Sequence, residues 1–329
     1  MRVLVTGAGS ALLGGIAAAL AQRGDEVVCL QRTVLRLPDG TKVSQVNGDL
    51  RDPDVVRAAA QGCDAIVHGA ARVGVVGSWA DFHSVNVEGT LHVLHAARLE
   101  GVRRIVHVST PSVAHSGRSL VGVGAEEAVT GRKGAFYAES KAIAERAALD
   151  ANSDTLAVVA IRPHLVWGPG DTQLVGRIVE RAAAGRLVMV GHGTALVDTT
   201  YLDNAISAHL AALDAVHPGA ACAGRAYVVA NGEPRTVREL VEGICRAASV
   251  PFEPRHVPPK VARGIGSLVE RVWPLVREGE PPITRFVAEQ LGTAHWFDPR
   301  PVSTDLGWKP TVSLDEGFAR LAAWFAAHP

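Results

Sequence analysis

Residues 3–15 read VLVTGAGSALLGG and join a short apolar run to an alanine-rich stretch. The apolar run predicts a buried strand, and the alanines after it predict a helix. Glycine at such a junction lets the backbone approach a ligand closely, and the first turn of a helix offers free N–H groups to an anion. We therefore expect Gly7, Gly9, Ser10 and Leu12 to bind the pyrophosphate of a dinucleotide.

The spacing of these glycines departs from the usual dinucleotide fingerprint. Gly7 and Gly9 fit its first two positions, but Leu12 stands where the third glycine is expected. A loop one residue longer would make Gly14 or Gly15 the glycine that packs closely. An ordinary strand-to-helix turn remains the alternative interpretation.

Apolar runs alternate with helical patterns through the first half of the chain. Strands are predicted at 2–5, 26–30, 43–46, 65–67, 104–108 and 156–161, and helices at 14–23, 53–61, 85–99 and 137–151. The strand runs are continuously apolar, which is typical of parallel strands that helices cover on both faces. The pattern predicts an α/β fold with a Rossmann-type, doubly wound parallel sheet.

This regularity decays after residue 165. We place a dinucleotide-binding core at residues 1–165. Residues 166–329 are expected to form a smaller, mostly helical substrate lobe, with some elements returning to the core.

Composition excludes several classes of protein. The 329 residues include 33 Lys and Arg and 33 Asp and Glu, so the formal charge is zero and nucleic acid is an unlikely partner. None of the four cysteines has metal-ligand spacing, and we predict no metal site. The chain has neither a signal-peptide pattern nor a long uncharged apolar stretch, so we expect a cytoplasmic protein without a transmembrane segment.

Residues after the second, third and fourth predicted strands indicate which cofactor would bind. Arg32 follows the second strand, where an acidic residue would select the ribose 2′-hydroxyl of NAD. Arginine suits a 2′-phosphate, so we predict NADP(H). Asp49 and Leu50 are expected near the adenine. Ala70 and Ala71 are expected beside the nicotinamide ribose.

Tyr137 and Lys141 stand four residues apart in a helical pattern and share one face. An ammonium beside a phenol should lower the tyrosine pKa and prepare it for proton transfer. A hydroxyl at the end of the fifth strand, from Ser109, Thr110 or Ser112, could bind the same substrate oxygen. An exposed tyrosine–lysine pair is the alternative interpretation.

Together, these features resemble the extended branch of the short-chain dehydrogenase/reductase superfamily, over essentially the whole chain. The resemblance implies that Tyr137 is the acid/base, that Lys141 also binds the nicotinamide ribose, and that Thr110 orients the carbonyl. It implies further that Pro163 and Val166 pack beside the nicotinamide ring.

Further segments resemble the 3β-hydroxysteroid dehydrogenase-like group, namely 109–115, 162–171 and 197–205. Segments 280–286 and 295–297 are similar to 2-alkyl-3-oxoalkanoate reductases of bacterial long-chain olefin biosynthesis. This resemblance implies an NADPH-dependent reduction of a 2-alkyl-3-keto fatty acid to the 2-alkyl-3-hydroxy acid. Trp79, Trp167 and Tyr201 are candidates to line its apolar cleft, although each could be an ordinary core residue.

Two other functions stay open at this point: a 3β-hydroxysteroid or other hydroxy-ketone dehydrogenase, and a non-catalytic protein that senses NADP(H). Helices 85–99 and 137–151 could form a homodimer interface. The amphipathic segment 261–276 could be a core helix or lid, could lie on a membrane surface, or could contact other enzymes of the olefin pathway.

Overall fold

The computed structural model describes residues 1–37, 40–74, 77–114, 119–131, 135–262, 264 and 292–328. Most of the amphipathic segment 261–276 and all of segment 280–286 lie outside these ranges, and so does His115 of segment 109–115.

Strands occur throughout the described part of the chain. They are β1 (Arg2–Thr6), β2 (Glu26–Gln31), β3 (Ser44–Asn47), β4 (Ala65–His68), β5 (Arg104–Val108), β6 (Leu120–Val123), β7 (Ala157–Pro163), β8 (Val166–Trp167), β9 (Val188–Val190), β10 (Leu196–Val197), β11 (Thr200–Tyr201), β12 (Arg225–Val229), β13 (Arg235–Thr236), β14 (Arg255–Val257) and β15 (His295–Phe297).

Helices separate most of these strands. The α-helices are α1 (Ala11–Gln22), α2 (Pro53–Ala60), α3 (Trp79–Phe82), α4 (Gly89–Leu99), α5 (Phe136–Asp150), α6 (Val175–Ala183), α7 (Leu202–Ala215), α8 (Val237–Ala247), α9 (Arg300–Leu306) and α10 (Leu314–Ala327). A π-helix spans His83–Glu88 and a 3₁₀ helix spans Pro111–Val113.

Seven parallel strands form the central sheet, in the order β12-β7-β5-β4-β1-β2-β3. The chain builds outward in one direction from β1 to β3 and in the other from β4 to β12. The strand order therefore reverses between β1 and β4, and ligands of open parallel sheets bind beside such a reversal. The predicted Rossmann-type, doubly wound sheet is confirmed.

Successive residues of each strand pack on opposite faces of this sheet. In β1, Val3 and Val5 lie in the cluster that includes α1 and α7, whereas Leu4 lies in the cluster that includes α2 and α4. Both faces are covered, which explains why the strands read as continuous apolar runs.

The second half of the chain contributes both to this sheet and to a smaller body. Strand β12 pairs with β7 at the sheet edge. A four-stranded sheet has the order β13-β10-β15-β6, and a third apolar cluster includes residues from α6, α8 and α10. The division at residue 165 stays a prediction.

The helix predicted at 85–99 begins differently in the structure. A π-helix at His83–Glu88 leads directly into α4. Its Asn86 side chain turns inward, where Oδ1 accepts the Arg72 N–H at 2.6 Å and Nδ2 donates to the Arg72 carbonyl at 3.0 Å. The wider π turn lets this amide satisfy the loop after β4, and such turns are frequent near functional sites.

The described residues contain neither a membrane-spanning helix nor a cluster of metal ligands. No helix within the described ranges is long and apolar enough to cross a membrane. The described residues also contain no group of three or more His, Cys, Asp or Glu side chains that could bind a metal ion.

Asn204 on α7 connects the segment before α10 to the core through hydrogen bonds. Its Oδ1 accepts the N–H groups of Thr311 and Val312 at 3.0 and 3.1 Å, and its Nδ2 donates to the Val312 carbonyl at 2.7 Å. The side chain is fully buried. Removing it would leave several buried polar groups without partners.

We therefore expect Asn204→Ala to lower the free energy of unfolding by about 3 kcal/mol or more. Urea unfolding followed by circular dichroism measures this change. The matched control is Asn47→Ala, which removes an exposed asparagine and should change stability by less than about 0.5 kcal/mol. An equal, small effect of both substitutions would contradict the bracing role of Asn204.

Candidate active site

Helix α5 presents Tyr137, Lys141 and Glu145 at intervals of four residues, so the three side chains share one face. Lys141 is 4% exposed and Glu145 is 1% exposed. This face therefore turns toward the central sheet rather than toward solvent, which disfavours the interpretation of an exposed tyrosine–lysine pair.

Thr110 lies immediately after β5 and caps the 3₁₀ helix at Pro111–Val113. Its side chain lies beside the Tyr137 hydroxyl and affects the pKa of that group. Ser112 Oγ lies 2.6 Å from Thr110 Oγ1. Ser109 Oγ is buried and has no hydrogen-bond partner in the described structure. Of the three candidate hydroxyls, Thr110 is thus the one in contact with the Tyr137 phenol, and Ser112 steadies it.

The expected lowering of the Tyr137 pKa is wrong for this structure. Loss of water around the hydroxyl group raises the Tyr137 pKa to about 12, and the Thr110 side chain opposes this rise. The Lys141 ammonium is not among the causes of this shift; its Nζ donates to the Val108 carbonyl at 2.7 Å. Tyr137 is therefore a neutral phenol at neutral pH, able to donate a proton.

The Lys141 side chain is buried away from water. Burial lowers the pKa of its ammonium to about 8, and the Glu145 carboxylate acts in the opposite direction. Neighbouring His107 is buried, and neither of its ring nitrogens has a partner within the described ranges. Burial, and then the Lys141 charge, keep the pKa of His107 well below its usual value.

Glu145 and Arg162 form a buried ion pair that sequence reasoning missed. Arg162 on β7 donates from Nε to Glu145 Oε2 at 2.8 Å and from Nη2 to Oε1, and its Nη1 donates to the Glu126 carbonyl at 2.6 Å. The pair joins α5 directly to the sheet. An arginine at the end of an apolar strand was the available signal, but its partner lies 17 residues away in sequence.

The glycine turn after β1 is closely packed. Gly7 adopts a φ of +84°, and a Cβ atom there would lie 2.8 Å from the Ala70 Cα. Gly9 donates its N–H to the Gln31 side chain, and Ser10 Oγ caps α1 by accepting the Leu13 N–H at 3.2 Å. The backbones of Gly7 and Ala70 therefore meet where β1 and β4 diverge.

Two further glycines explain the irregular spacing. A Cβ atom on Gly14 would lie 2.8 Å from the Ala8 carbonyl oxygen, and one on Gly15 would overlap Ile206 of α7. Gly14 therefore needs glycine because it faces backbone, whereas at Gly15 the end of the Ile206 side chain could shift. Leu12 is in the first turn of α1, which has no acidic side chain and whose first N–H groups lack acceptors within the helix. This end of α1 is suited to an anion.

Arg32, Asp49 and Arg51 lie together at the ends of β2 and β3. Arg51 donates to Asp49 from Nε at 3.0 Å and from Nη2 at 2.8 Å, whereas Arg32 Nη1 lies 3.9 Å from the same carboxylate. Arg51 and, less strongly, Arg32 lower the Asp49 pKa to about 2. The Arg32 side chain is 74% exposed, so its guanidinium is accessible to a ligand. Leu50 packs into the core.

The loop after β4 is held by Thr6. Its Oγ1 accepts the N–H groups of Gly69 and Ala70 at 3.2 and 3.1 Å. Ala70 and Ala71 are partly buried beside the glycine turn. These residues thus lie near Gly7, as their assignment to one cofactor site requires.

Pro163 ends β7, and Val166 begins β8. Between them, Leu165 adopts the left-handed conformation with a φ of +43°, which is uncommon for a residue other than glycine. His164 is anchored through Nδ1, 2.6 Å from the Asp198 carbonyl oxygen. The turn therefore holds Pro163 and Val166 at the carboxyl end of β7.

The three candidate cleft residues have different surroundings. Trp79 is partly exposed, and its ring centroid lies 6.0 Å from that of Phe136, the neighbour of Tyr137. Trp167 and Tyr201 are fully buried and contact each other at 5.4 Å between ring centroids. The structure places both in the third apolar cluster, as the alternative interpretation had it. Of the three, Trp79 is the one that contacts Phe136 at the start of α5.

The chain is similar to known proteins over most of its length. The model of the 3-beta hydroxysteroid dehydrogenase/isomerase family matches residues 28–256. The chain is 47% identical to the 2-alkyl-3-oxoalkanoate reductase of Stenotrophomonas maltophilia, over 99% of this chain and 100% of that protein. It is 38% identical to the 2-alkyl-3-oxoalkanoate reductase of Shewanella oneidensis, over 97% of this chain and 85% of that protein.

Among solved structures, an epimerase from Methanothermobacter thermautotrophicus superposes with a TM-score of 0.79 at 21% identity, over 99% of this chain and 92% of that one. That likeness concerns the fold. The family model and the two reductases carry the classification. The chain therefore belongs to the 3-beta hydroxysteroid dehydrogenase/isomerase family within the extended short-chain dehydrogenase/reductases, and it is an oxidoreductase.

Proposed function

We propose that the protein is an NADPH-dependent reductase that converts a 2-alkyl-3-keto fatty acid to the 2-alkyl-3-hydroxy acid, a step of long-chain olefin biosynthesis. The position of the Thr110 side chain beside the Tyr137 hydroxyl carries the chemical part of this proposal. The 47% identity to a reductase with this name supports the substrate class.

The reaction needs a proton donor and a hydrogen-bond donor at one ketone oxygen. A bound nicotinamide would supply the hydride to the ketone carbon. Tyr137 would donate its proton to the oxygen as negative charge develops there, and Thr110 would donate a hydrogen bond to the same atom. A Tyr137 pKa of about 12 suits this direction because the phenol stays protonated at neutral pH. Lys141 would bind the nicotinamide ribose, and its ammonium would carry the positive charge of the site.

The surrounding residues fit a phosphorylated dinucleotide. The crowded contact of Gly7 with Ala70 leaves no room for a side chain in the turn, and the first turn of α1 can accept an anion. Arg32 would bind the 2′-phosphate, with Arg51 beside it. Gly9, Ser10 and Leu12 would surround the pyrophosphate, Asp49 and Leu50 the adenine, Ala70 and Ala71 the ribose, and Pro163 and Val166 the nicotinamide.

A substrate with two alkyl arms needs an apolar entrance. Trp79 contacts Phe136, the residue before Tyr137, and Phe136 is 37% exposed, so an alkyl arm could cover this surface. Trp167 and Tyr201 would contribute indirectly, because they pack in the core beneath the cleft.

The proposal has four further parts. They are a homodimer, assembly with other enzymes of the pathway, a cytoplasmic location with peripheral membrane contact, and a division into residues 1–165 and 166–329.

A 3β-hydroxysteroid or other hydroxy-ketone dehydrogenase is the second candidate, because the matched family model carries that name. Its chemistry at Tyr137 would be the same, and only the cleft would differ. Parallel assays with a sterol and a long-chain 2-alkyl-3-keto acid separate the two. A non-catalytic sensor is disfavoured by the intact contact between Tyr137 and Thr110.

The first test is oxidation of NADPH by the purified chain with a long-chain 2-alkyl-3-keto acid, compared with Tyr137→Phe. The wild type should turn over, and Tyr137→Phe should lose at least about 100-fold in kcat because it removes the proton donor. Tyr227→Phe is the matched control, since the Tyr227 hydroxyl bonds to Asp305 at 2.6 Å on the far edge of the sheet. Unchanged turnover in Tyr137→Phe would exclude the catalytic assignment.

Lys141 should set the alkaline limit of reduction. With a pKa of about 8, its ammonium is charged below pH 8 and is lost as the pH rises above it. Tyr137, with a pKa of about 12, does not titrate between pH 6 and 10. We expect kcat/KM for reduction to fall above pH 8, and Lys141→Arg, slower but permanently charged, to lack this fall. An equal fall of kcat/KM above pH 8 in the wild type and in Lys141→Arg would contradict this role of Lys141.

Arg32 should determine cofactor preference. We expect Arg32→Ala to raise the KM for NADPH by about 10- to 100-fold and to leave the KM for NADH nearly unchanged, because a charge-assisted contact to the 2′-phosphate is lost. Arg36→Ala removes a nearby exposed arginine and serves as the matched control. Equal effects of Arg32→Ala on both cofactors would overturn the predicted selection of NADPH.

A further inference from the structure

A line of buried polar side chains runs from β1 to the helix that carries Tyr137. We call it the buried polar string; its members are Thr6, His68, Thr90, Asn86 and Ser140, each at most 2% exposed. His68 stands at its centre, with Nδ1 at 2.8 Å from Thr6 Oγ1 and Nε2 at 3.0 Å from Thr90 Oγ1. Burying so many polar groups is costly unless all are hydrogen-bonded, as they are here.

The direction of every hydrogen bond in the first half of the string is fixed. Thr6 Oγ1 already accepts two N–H groups, from Gly69 and Ala70, so its hydroxyl proton goes to His68 Nδ1. His68 must therefore carry its proton on Nε2 and donate it to Thr90. The Thr90 hydroxyl in turn donates to the Asn86 carbonyl at 2.7 Å.

The second half of the string reaches the catalytic helix. Asn86 Nδ2 donates to Ser140 Oγ at 2.9 Å, and Ser140 Oγ donates to the Tyr137 carbonyl at 2.9 Å. The same asparagine amide holds the backbone of Arg72 in the loop after β4. One end of the string thus fixes the amides of Gly69 and Ala70, and the other fixes the first turn of α5.

We propose that His68 is a positioning residue for hydride transfer, because its neutral imidazole couples the loop after β4 to the backbone of Tyr137 through Thr6 on one side and Thr90 on the other. Only one protonation state serves this purpose, since a second ring proton would face the Thr6 hydroxyl proton. Burial, followed by the Lys141 charge, lowers the His68 pKa to about 3, so this state persists through the working range. The inference rests on the proposed reduction.

The test compares substitutions of His68 and of Thr90, which share one hydrogen bond. His68→Leu removes both contacts of the imidazole, whereas His68→Gln keeps an acceptor and a donor. Thr90→Val breaks the string without changing the side-chain shape, and Thr90→Ser restores the hydroxyl. His209→Leu is the matched control, because His209 is a fully buried histidine on α7 outside the string.

The rate constant for NADPH oxidation in a single turnover separates positioning from stability. Lost stability would lower the amplitude, since fewer molecules are folded, but not the rate constant. We expect His68→Leu and Thr90→Val to lower the rate constant by about 10- to 100-fold. His68→Gln and Thr90→Ser should recover most of it, and His209→Leu should retain the wild-type value. Wild-type rate constants in Thr90→Val would overturn the proposal, even if His68→Leu fails to fold.

Hydrogen exchange in the absence of substrate tests the coupling separately from the reaction. Breaking the string at Thr90 should speed exchange of the Gly69 and Ala70 amides, although Thr90 contacts neither. Unchanged exchange in Thr90→Val would refute the coupling. Absence of turnover by the wild type with every ketone would instead refute the proposed function and leave the exchange result valid.

Discussion

The ion pair between Glu145 and Arg162 is the contact on which the geometry of the site depends. It lies in the interior, with both side chains at most 2% exposed, and it joins the third turn of α5 to the strand beside β5. Breaking one partner of a buried pair leaves an uncompensated charge, at a cost of about 3–5 kcal/mol. Helix α5 is therefore held at one distance from the sheet, and Tyr137 and Lys141 are held with it.

The remaining contacts of α5 also fix its position relative to the sheet. Lys141 reaches the Val108 carbonyl at the end of β5, and Tyr137 reaches Thr110 two residues further on. The buried polar string fixes the first turn of the helix from the opposite side. The helix is thus braced by an ion pair, an ammonium and a neutral amide at three successive turns, which leaves little freedom at the phenol oxygen.

Burial also decides the charge of each group in this region. It raises the pKa of Tyr137, lowers that of Lys141 and keeps His68 and His107 neutral. A neutral phenol beside a single ammonium is a proton donor, which agrees with reduction as the favoured direction. The pKa of Tyr137 is set by burial of its hydroxyl, while the Lys141 ammonium donates to the Val108 carbonyl.

Local sequence patterns were enough to predict the main elements of the first half of the chain and their order. Continuous apolar strands, the glycine turn and the four-residue interval from Tyr137 to Lys141 are local patterns, because strand burial, turn conformation and helix periodicity depend on near neighbours. The sheet, the family and the proximity of Thr110 to Tyr137 followed from them. Gly14 and Gly15 were singled out for the irregular turn on spacing alone.

Only the tertiary structure decided which polar groups are buried together. The partners Glu145 and Arg162, Thr6 and His68, and His68 and Thr90 are between 17 and 62 residues apart in sequence, and no local period connects them. The same holds for the lysine that turns to Val108 and for Trp167 and Tyr201, which pack into the core. Electrostatic effects follow from distance and loss of water in three dimensions, and these quantities exist only once the chain is folded.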